Sequence, residues 1–387
     1  MKIVIGTESF WPIISGVAVF ARDLAENLVK NGDEVIVVAP SKNGKSGWDE
    51  LSKIKIYRVG GIANPLRRGA RISFRVYGKI KNILDQFQTD IIHIQDPAGI
   101  GGALVRYGNE KKIKTVMTNH FNIDFISAYL RPLGPIKNII ENMLIKRFVK
   151  LYEKCDAITT PSETSRERIE KWGLKKEITI LRNGVDIERF KPADKKTSRE
   201  KLNLPDKKTV IYSGRMDVDK SVKILLEAIP KILDEVDAYF LFVGGGKDLD
   251  WLKDEAEKLK IAENVKFYGF LKNESEEYAL VYQASDLYFS ASKIEVQSIV
   301  MLEAFASGLP VVAAAAGSFP EFIEKGQNGL LFRPDDSENL AEKVIRILKD
   351  DEMESRMAKE SRKVAEEYRK DKMMNKFREF YKGLLGK

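Results

Sequence analysis

The chain has 387 residues, of which 43% are hydrophobic and 32% are charged, and its formal net charge at pH 7 is +8. This length allows two domains of ordinary size, the composition is that of a soluble globular protein, and no apolar run approaches the roughly 18 residues that a membrane span needs. The single cysteine, Cys155, excludes an internal disulfide and is typical of a reducing cytoplasm.

The positive charge is concentrated in the first half of the chain. Residues 1–190 hold 31 Lys and Arg against 21 Asp and Glu, and residues 51–150 alone hold 18 against 6. The remaining residues are nearly neutral, with 34 against 36. A basic first half indicates an acidic partner, which leaves anionic lipid, nucleic acid and a phosphorylated substrate open.

Both halves alternate short, continuously apolar runs with amphipathic helices. Strands are predicted at residues 3–5, 35–39, 91–94, 115–118 and 157–160, and then at 210–213, 238–243, 265–268, 287–290 and 311–314. Uniformly apolar strands between amphipathic helices are typical of parallel sheets that are covered on both faces. The predicted fold class is therefore α/β, with two Rossmann-like, doubly wound parallel-sheet domains facing a cleft.

In the first half, polar or small residues follow predicted strands, and such sheets bind ligands outside the carboxyl ends of their strands. Gly16 opens a helix after the first strand, where it either admits a phosphate to the backbone amides or simply starts the helix. His120 lies at the carboxyl end of the strand at 115–118, two residues beyond it, and is predicted to be functional. His93 lies inside an apolar run and is predicted to be a core or strand-end histidine with its hydrogen bonds satisfied.

Two cations follow the first strand of the second half. Arg215 and Lys220 lie on one loop and could clamp a diphosphate, and the alternative is a solvated charged turn. Asp217 and Asp219 lie between them and make only a weak magnesium motif, so we predict no metal site. The glycine-rich turn at 244–246 is not a Walker A loop, although its backbone could form a nest for phosphate or sugar.

Glu295 and Glu303 are the most informative residues, because both lie in apolar surroundings behind a predicted strand. A buried carboxylate is costly unless something pairs with it, and carboxylates accept hydrogen bonds from vicinal hydroxyls. The two glutamates therefore indicate a polyhydroxylated ligand. No Ser/His/Asp order, Cys-x-x-Cys pair or His-Glu-x-x-His motif supports a hydrolase or a zinc site.

Taken in order, these features resemble the retaining glycosyltransferases of the glycogen-synthase-like group, family 4, which have the two-domain GT-B fold. The resemblance is carried by Gly16, His120, Arg215, Lys220 and the Glu295-x7-Glu303 pair, together with the segments at 183–186 and 306–312. It covers nearly the whole chain.

The resemblance implies a role for each residue. Arg215 and Lys220 would bind the diphosphate of a nucleotide sugar, with a backbone contact from Gly16, and Leu271 would lie near the base. Glu303 would bind the ribose.

The same resemblance assigns Glu295 to the hexose hydroxyls and His120 to the hexose near its anomeric centre. The implied reaction is metal-independent transfer with retention, by front-face attack.

The three residues after Glu295 depart from the common family pattern of Gly-Phe-Gly, because this chain has Val296-Gln297-Ser298. Gln297 resembles the Thr-Gln-Gly version of the subgroup that makes glycolipids from diacylglycerol. Ser298 could cap the following helix or shift the donor. We include both in the predicted donor site.

We therefore predict a hexosyltransferase that transfers a hexose from a nucleotide sugar to a membrane lipid such as diacylglycerol. The first guesses are glucose for the hexose and UDP for the nucleotide. No cofactor is expected, since the nucleotide sugar is the donor substrate. The alternatives are a soluble sugar or sugar-phosphate acceptor, a sugar-nucleotide 2-epimerase, and a binding protein without turnover.

The predicted domains are an acceptor- and membrane-facing domain at 1–190, a nucleotide-sugar domain at 191–364, and a tail at 365–387 whose helix crosses back to the first domain. Residues 64–81 and 125–152 combine many cations with apolar side chains, which favours docking on an anionic membrane. The alternative is that their helices cover their own sheet. We expect no nucleic-acid partner, since no recognition motif accompanies the basic half, and a cytoplasmic location that is peripheral on the inner face of the cell membrane.

Overall fold

The computed structural model describes residues 1–13, 15–63, 71–73, 75–130, 134, 136–324 and 326–387. They form two compact units, the first of residues 1–183 with 370–387 and the second of residues 184–369. The sequence places the boundary after residue 190, whereas the units divide after Asn183. The earlier division has a physical reason, because Val185, Ile187 and Phe190 are buried in the core of the second unit.

The first unit is built on an eight-stranded sheet among the described residues, in the order β10-β9-β8-β7-β1-β2-β4-β3. Its strands are β1 (Lys2–Gly6), β2 (Glu34–Pro40), β3 (Gly47–Leu51), β4 (Ile54–Val59), β7 (Ile91–Ile94), β8 (Lys114–Thr118), β9 (Ala157–Thr160) and β10 (Ile178–Ile180). Neighbours run parallel except β3 and β4. A separate antiparallel ribbon joins β5 (Gly61–Ala63) to β6 (Arg71–Ser73).

The first unit contains the helices between these strands and also the last helix of the chain. They are α1 (Gly16–Lys30), α2 (Val76–Phe87), α3 (Gly99–Lys111), α4 (Ile123–Leu130), α5 (Ile136–Tyr152), α6 (Glu163–Lys171) and, at the end of the chain, α15 (Lys370–Leu385).

The second unit has a six-stranded parallel sheet among the described residues, in the order β13-β12-β11-β14-β15-β16. Its strands are β11 (Lys208–Ser213), β12 (Ala238–Val243), β13 (Val265–Gly269), β14 (Leu287–Ser290), β15 (Val311–Ala314) and β16 (Gly329–Phe332). Its helices are α7 (Lys195–Lys201), α8 (Val222–Leu233), α9 (Leu249–Lys258), α10 (Glu276–Gln283), α11 (Ile299–Ala306), α12 (Phe319–Phe322), α13 (Ser337–Leu348) and α14 (Asp351–Glu367).

Alternate residues of the central strands enter two different cores of the second unit. Val210 and Tyr212 of β11 pack in one core, and Ile211 between them packs in the other. Because successive side chains of a strand point to opposite faces, both faces of the sheet are covered. The predicted α/β class with doubly wound parallel sheets is confirmed.

Each sheet has a topological switch point, where the order of strands reverses. In the second unit it lies between β11 and β14, and in the first unit between β1 and β7. Ligands of open parallel sheets bind in the crevice outside the carboxyl ends of the strands at this position. The loops after these four strands are therefore where each unit is expected to place functional side chains.

The last helix, α15, belongs to the first unit and packs on α1. Phe377 is buried, with its ring centroid 5.2 Å from that of Phe20, and Arg378 donates to a carboxylate oxygen of the buried Asp33 at 2.6 Å. The predicted tail starts at residue 365, whereas α14 continues to Glu367 and α15 starts at Lys370. Apolar burial and ion pairs such as Arg378–Asp33 thus hold the end of the chain on the first unit.

Candidate functional site

The switch point of the second unit carries an ion pair between two predicted donor-site residues. Lys220 ends a 3-10 turn after β11, and Glu295 lies in the loop between β14 and α11. The ammonium nitrogen of Lys220 lies 2.5 Å from Oε1 of Glu295, and only 18% and 16% of the two side chains are exposed. The structure therefore brings together two residues that are 75 positions apart in the sequence.

The Lys220 ammonium keeps Glu295 ionised despite its burial. Burial acts to raise the pKa of Glu295, but the charge and hydrogen bond of Lys220 outweigh it, so that the pKa lies below its ordinary value. The backbone of Glu295 is also held, since its carbonyl oxygen accepts from the amide of Ser318 at 3.1 Å. Gly317 allows this approach with a φ of +58°, and a Cβ there would lie 2.9 Å from the amide nitrogen of Glu295.

Arg215 is oriented by two carboxylates of its own loop. Its guanidinium contacts Asp217 and donates to Asp219 at 2.6 Å, and the side chain of Asp219 is fully buried. The Asp217-x-Asp219 motif thus anchors an arginine. Within the described ranges no group of three or more His, Cys, Asp and Glu side chains is arranged to hold a metal ion.

The glycine-rich turn after β12 braces the Arg215 loop. A Cβ at Gly244 would lie 1.9 Å from the carbonyl oxygen of Gly214, and one at Gly246 would lie 2.1 Å from that of Met216. The amide of Met216 in turn donates to the carbonyl of Gly245 at 2.9 Å. Close packing of two backbones therefore accounts for Gly244 and Gly246 without a phosphate nest.

Glu303 lies on α11 and is only 4% exposed. Its Oε2 accepts hydrogen bonds from Tyr278 at 2.8 Å and Tyr282 at 2.9 Å, both of which lie on α10. Burial first, and then the charge of Glu303, hold the pKa of both phenols well above their ordinary value, so that they remain donors. A ribose at this position would share the carboxylate with the two tyrosines.

The sequence reasoning missed these two tyrosines. Their spacing of four residues on a helix is a usable signal, because residues at i and i+4 lie on one face. The hydroxyl of Tyr278 also lies 3.2 Å from that of Ser213, the last residue of β11. Hydrogen bonds through Tyr278 thus connect the buried carboxylate of Glu303 to the end of β11 at the switch point.

Three further predicted donor residues of the second unit are Ser298 and Gln297, between Glu295 and Glu303 in the sequence, and Leu271, after β13. Ser298 is the N-cap of α11, and its hydroxyl accepts from the amide of Met301 at 3.3 Å. The capping alternative for Ser298 is thus the one that the structure shows. Gln297 is buried, and Leu271 is partly buried after β13, where its neighbour Phe270 is an exposed aromatic residue that the sequence reasoning did not single out.

Gly16 and His120 lie in the first unit. Gly16 is the first residue of α1, whose N-cap, Ser15, accepts from the amide of Ala18 at 3.2 Å. His120 follows β8, and its Nε2 lies 2.8 Å from Oε1 of Gln95. Burial lowers the pKa of His120 to about 3, so the ring is neutral at pH 7.

His93 is confirmed as a core histidine. It is fully buried, its Nε2 lies 2.6 Å from the hydroxyl of Thr118, and its Nδ1 lies 2.5 Å from that of Tyr381. Burial, with a smaller contribution from His120, lowers its pKa to about 3.

Glu8, at the switch point of the first unit, is a further residue that the sequence reasoning missed. Its Oε1 accepts from the amide of Ile100 at 2.6 Å, in the first turn of α3, and its own amide donates to Asp96 at 2.8 Å. Burial raises the pKa of Glu8 to about 7; the hydrogen bond from Ile100 opposes this shift and the charge of Asp96 adds to it. The position of Glu8 directly after the first strand is the signal that could have found it.

The helix α5 presents apolar and basic side chains to solvent. Ile136, Ile139 and Met143 are 57%, 69% and 61% exposed, and three cations of the same helix are exposed as well, namely Lys146, Arg147 and Lys150. Of the predicted membrane segments, residues 64–70, 74, 131–133 and 135 lie outside the described residues. None of the described helices combines the length and the apolar character that crossing a membrane requires.

Comparison with known proteins gives matches along most of the chain. The model of "Glycosyltransferase Family 4" matches residues 14–189, and that of "Glycosyl transferases group 1" matches residues 194–364. The alpha-monoglucosyldiacylglycerol synthase of Streptococcus pneumoniae is 30% identical over 339 residues, which are 86% of this chain and 75% of that protein. The protein of the same name from Acholeplasma laidlawii is 25% identical over 401 residues, covering 100% of this chain and 98% of that one.

Among solved structures, Anabaena HepE in complex with UDP-glucose has a TM-score of 0.80 and 20% sequence identity. The match covers 99% of this chain and 100% of that one. At this identity the likeness concerns the fold, in which it agrees with the two parallel-sheet units described above.

Proposed function

We propose that this chain, which belongs to the family 4 glycosyltransferases, transfers a hexose with retention from a nucleotide sugar to a membrane lipid. Glucose, UDP and diacylglycerol are the first donor and acceptor to test. Family membership makes the chain a GT-B glycosyltransferase. The observation that carries the finer proposal is the Lys220–Glu295 ion pair at the switch point, beside the anchored Arg215.

Lys220 and Arg215 are suited to stabilise a leaving diphosphate. An ammonium group has three donors and a guanidinium has five, so each cation can keep its carboxylate and still donate to phosphate oxygens. When the bond to the anomeric carbon breaks, negative charge grows on the phosphate, and cations that are already in place stabilise it without reorganisation. In this mechanism the two side chains supply the positive charge, and no step depends on a metal ion.

Glu295 is assigned to the hydroxyls of the transferred hexose. As half of an ion pair it remains ionised and can accept hydrogen bonds from vicinal hydroxyls. The same pairing makes it a poor covalent nucleophile, which favours a front-face reaction. The donor roles of Gly16, His120, Leu271, Gln297 and Ser298 remain predictions from the family resemblance.

A lipid acceptor is supported by the names of the two relatives and by the surface of α5. Apolar side chains that point to solvent between cations are suited to an anionic bilayer, because the apolar groups enter the interface and the cations contact head groups. We propose that this surface docks on an anionic membrane.

The transferase proposal is tested with purified chain, diacylglycerol in mixed micelles, and the UDP, GDP and ADP sugars. Thermal-shift screening selects the donor, and turnover should yield a lipid-linked hexose with the anomeric configuration of the donor. Transfer only to a soluble sugar or sugar phosphate would overturn the lipid acceptor. An epimer that appears in NMR spectra without any acceptor would identify a 2-epimerase instead.

The membrane proposal is tested by sedimentation with vesicles that contain anionic lipid, at low salt. Replacing both Ile139 and Met143 with Asp should release the protein from the vesicles. Trp251→Asp is the control, since Trp251 is an exposed apolar residue on α9 of the second unit. Equal sedimentation of all three proteins, or none of the wild type, would contradict docking through α5.

A further inference from the structure

Four side chains of the first unit form a continuous chain of hydrogen bonds that ends at His120. The hydroxyl of Tyr381 lies 2.5 Å from Nδ1 of His93, and the amide nitrogen of Gln95 lies 3.3 Å from the same atom. The amide oxygen of Gln95 then lies 2.8 Å from Nε2 of His120. Tyr381, His93 and Gln95 are all buried, so water does not replace these contacts.

The placement of the Gln95 amide gives the direction of the bonds. Its nitrogen can only donate and lies 3.3 Å from Nδ1 of His93, so Nδ1 accepts. Burial holds the pKa of Tyr381 well above its ordinary value, so its hydroxyl keeps a proton and can donate to the same atom. A neutral ring that accepts at Nδ1 carries its proton on Nε2, and that nitrogen has Thr118 as an acceptor at 2.6 Å. Thr118 in turn contacts the hydroxyl of Thr159 at 2.6 Å, so each member finds a partner.

The same amide fixes His120, because its carbonyl oxygen lies on the side of His120, 2.8 Å from Nε2. A carbonyl oxygen can only accept. His120 must therefore donate from Nε2, which leaves Nδ1 as the ring nitrogen that is able to accept.

We propose that Gln95 is a positioning residue that holds His120 in the Nε2–H tautomer, so that Nδ1 is available to accept a hydrogen bond from a donor-sugar hydroxyl. This inference rests on the proposed function for the sugar contact, whereas the tautomer itself is a property of the first unit. The last helix takes part, because the Tyr381 hydroxyl of α15 lies 2.5 Å from the same Nδ1 of His93 that Gln95 contacts. The ring of Phe20, 4.7 Å from that of His120, packs against the histidine.

The chain has only two histidines, which makes the tautomers directly measurable. Long-range proton–nitrogen spectra of protein labelled with 15N-histidine, recorded at pH 7, should show the Nε2–H form for both His93 and His120. A His120→Gln variant assigns the signals. Detection of His120 as the Nδ1–H form in the wild type would overturn the proposal.

Two replacements of Gln95 separate its role from general stability. Gln95→Leu removes the acceptor, so His120 should leave the pure Nε2–H form, and kcat should fall by roughly tenfold with the donor KM unchanged. Gln95→Glu keeps an acceptor for His120 and should retain its tautomer and most of kcat. The carboxylate can no longer donate to His93, whose proton should therefore move to Nδ1.

Tyr107→Phe serves as the structural control, since it removes another hydrogen bond of a buried tyrosine in the same unit, to Asp85 at 2.9 Å. It should leave both histidine tautomers and kcat unchanged. An unchanged His120 tautomer in Gln95→Leu would refute the role of Gln95. If the wild type transfers no sugar, the proposed function fails, while the spectra still decide whether the hydrogen-bond chain exists.

Discussion

Replacing Lys220 with methionine tests the donor site most directly, because it removes the ammonium and keeps the length of the side chain. A charge-assisted hydrogen bond contributes about 1.5–3 kcal/mol, which corresponds to roughly a 10- to 150-fold change in Kd. The replacement also leaves the buried carboxyl group of Glu295 without its partner at 2.5 Å, which adds to the loss. We therefore expect the Kd for UDP to rise toward the upper end of this range, about 100-fold.

Isothermal titration with UDP at fixed salt measures this change, and two further variants sharpen it. Lys220→Met combined with Glu295→Gln should recover part of the affinity, since a buried amide needs no cationic partner. Lys223→Met is the matched control, because Lys223 lies three residues further along the chain, in the first turn of α8, is 55% exposed at its side chain and pairs with Glu227. Equal UDP affinity in the Lys220 and Lys223 variants would refute the assignment of Lys220 to the diphosphate.

Three further predictions concern other parts of the structure. Wild-type protein should bind UDP roughly tenfold more tightly than 2′-deoxy-UDP, and Glu303→Gln should abolish this preference; titrations in which the preference survives would contradict the ribose role. Glu8 has a folded-state pKa of about 7 against an ordinary 4.5, so its contribution to stability is most favourable below pH 4.5 and is lost as the pH rises through 7, by at most about 3 kcal/mol. Urea unfolding from pH 4 to 8 should therefore show a shallower decline for Glu8→Gln than for the wild type, and parallel profiles would exclude the shift. Phe377→Ala in the last helix should cost about 4 kcal/mol, and calorimetry should show a lower Tm for the first unit; a Tm within about 2 °C of the wild type would mean that α15 does not stabilise it.

The central strands could be predicted from the sequence because they are buried on both faces. The runs in β11, β12, β14 and β15 are continuously apolar; the last three are found at the predicted positions, and β11 starts two residues before its predicted position. Two of the strands that were missed, β3 and β4, are different. Exposed residues alternate with partly buried ones in β3, and exposed or partly buried residues alternate with buried ones along most of β4. A strand with one solvated face carries no uniform apolar signal.

The candidate site could be predicted residue by residue, but its pairing could not. Lys220 and Glu295 each stood out, yet their contact depends on β11 and β14 being neighbours at the switch point, which is a property of the strand order. Tyr278 was missed because a tyrosine on a helix is usually core, and only its contact with Glu303 gives it a role. Gln95 was missed for the same reason, because its role depends on its contacts with His93 and His120.

The pairing of cations with carboxylates in the second unit determines how its donor site can select a ligand. Arg215 and Lys220 contribute two positive charges, and Asp217, Asp219 and Glu295 contribute three negative ones, so these five side chains together do not form a positive field. Such a group attracts anions weakly at long range, because opposite charges at short separation cancel with distance. Its cations act at short range instead. Because their side chains are held in fixed orientations, they favour an anion whose hexose and ribose also bind to the glutamates proposed for them. The arrangement therefore favours a complete nucleotide sugar over free phosphate, and the ion pairs that weaken general attraction are the ones that hold the cations ready for the leaving group.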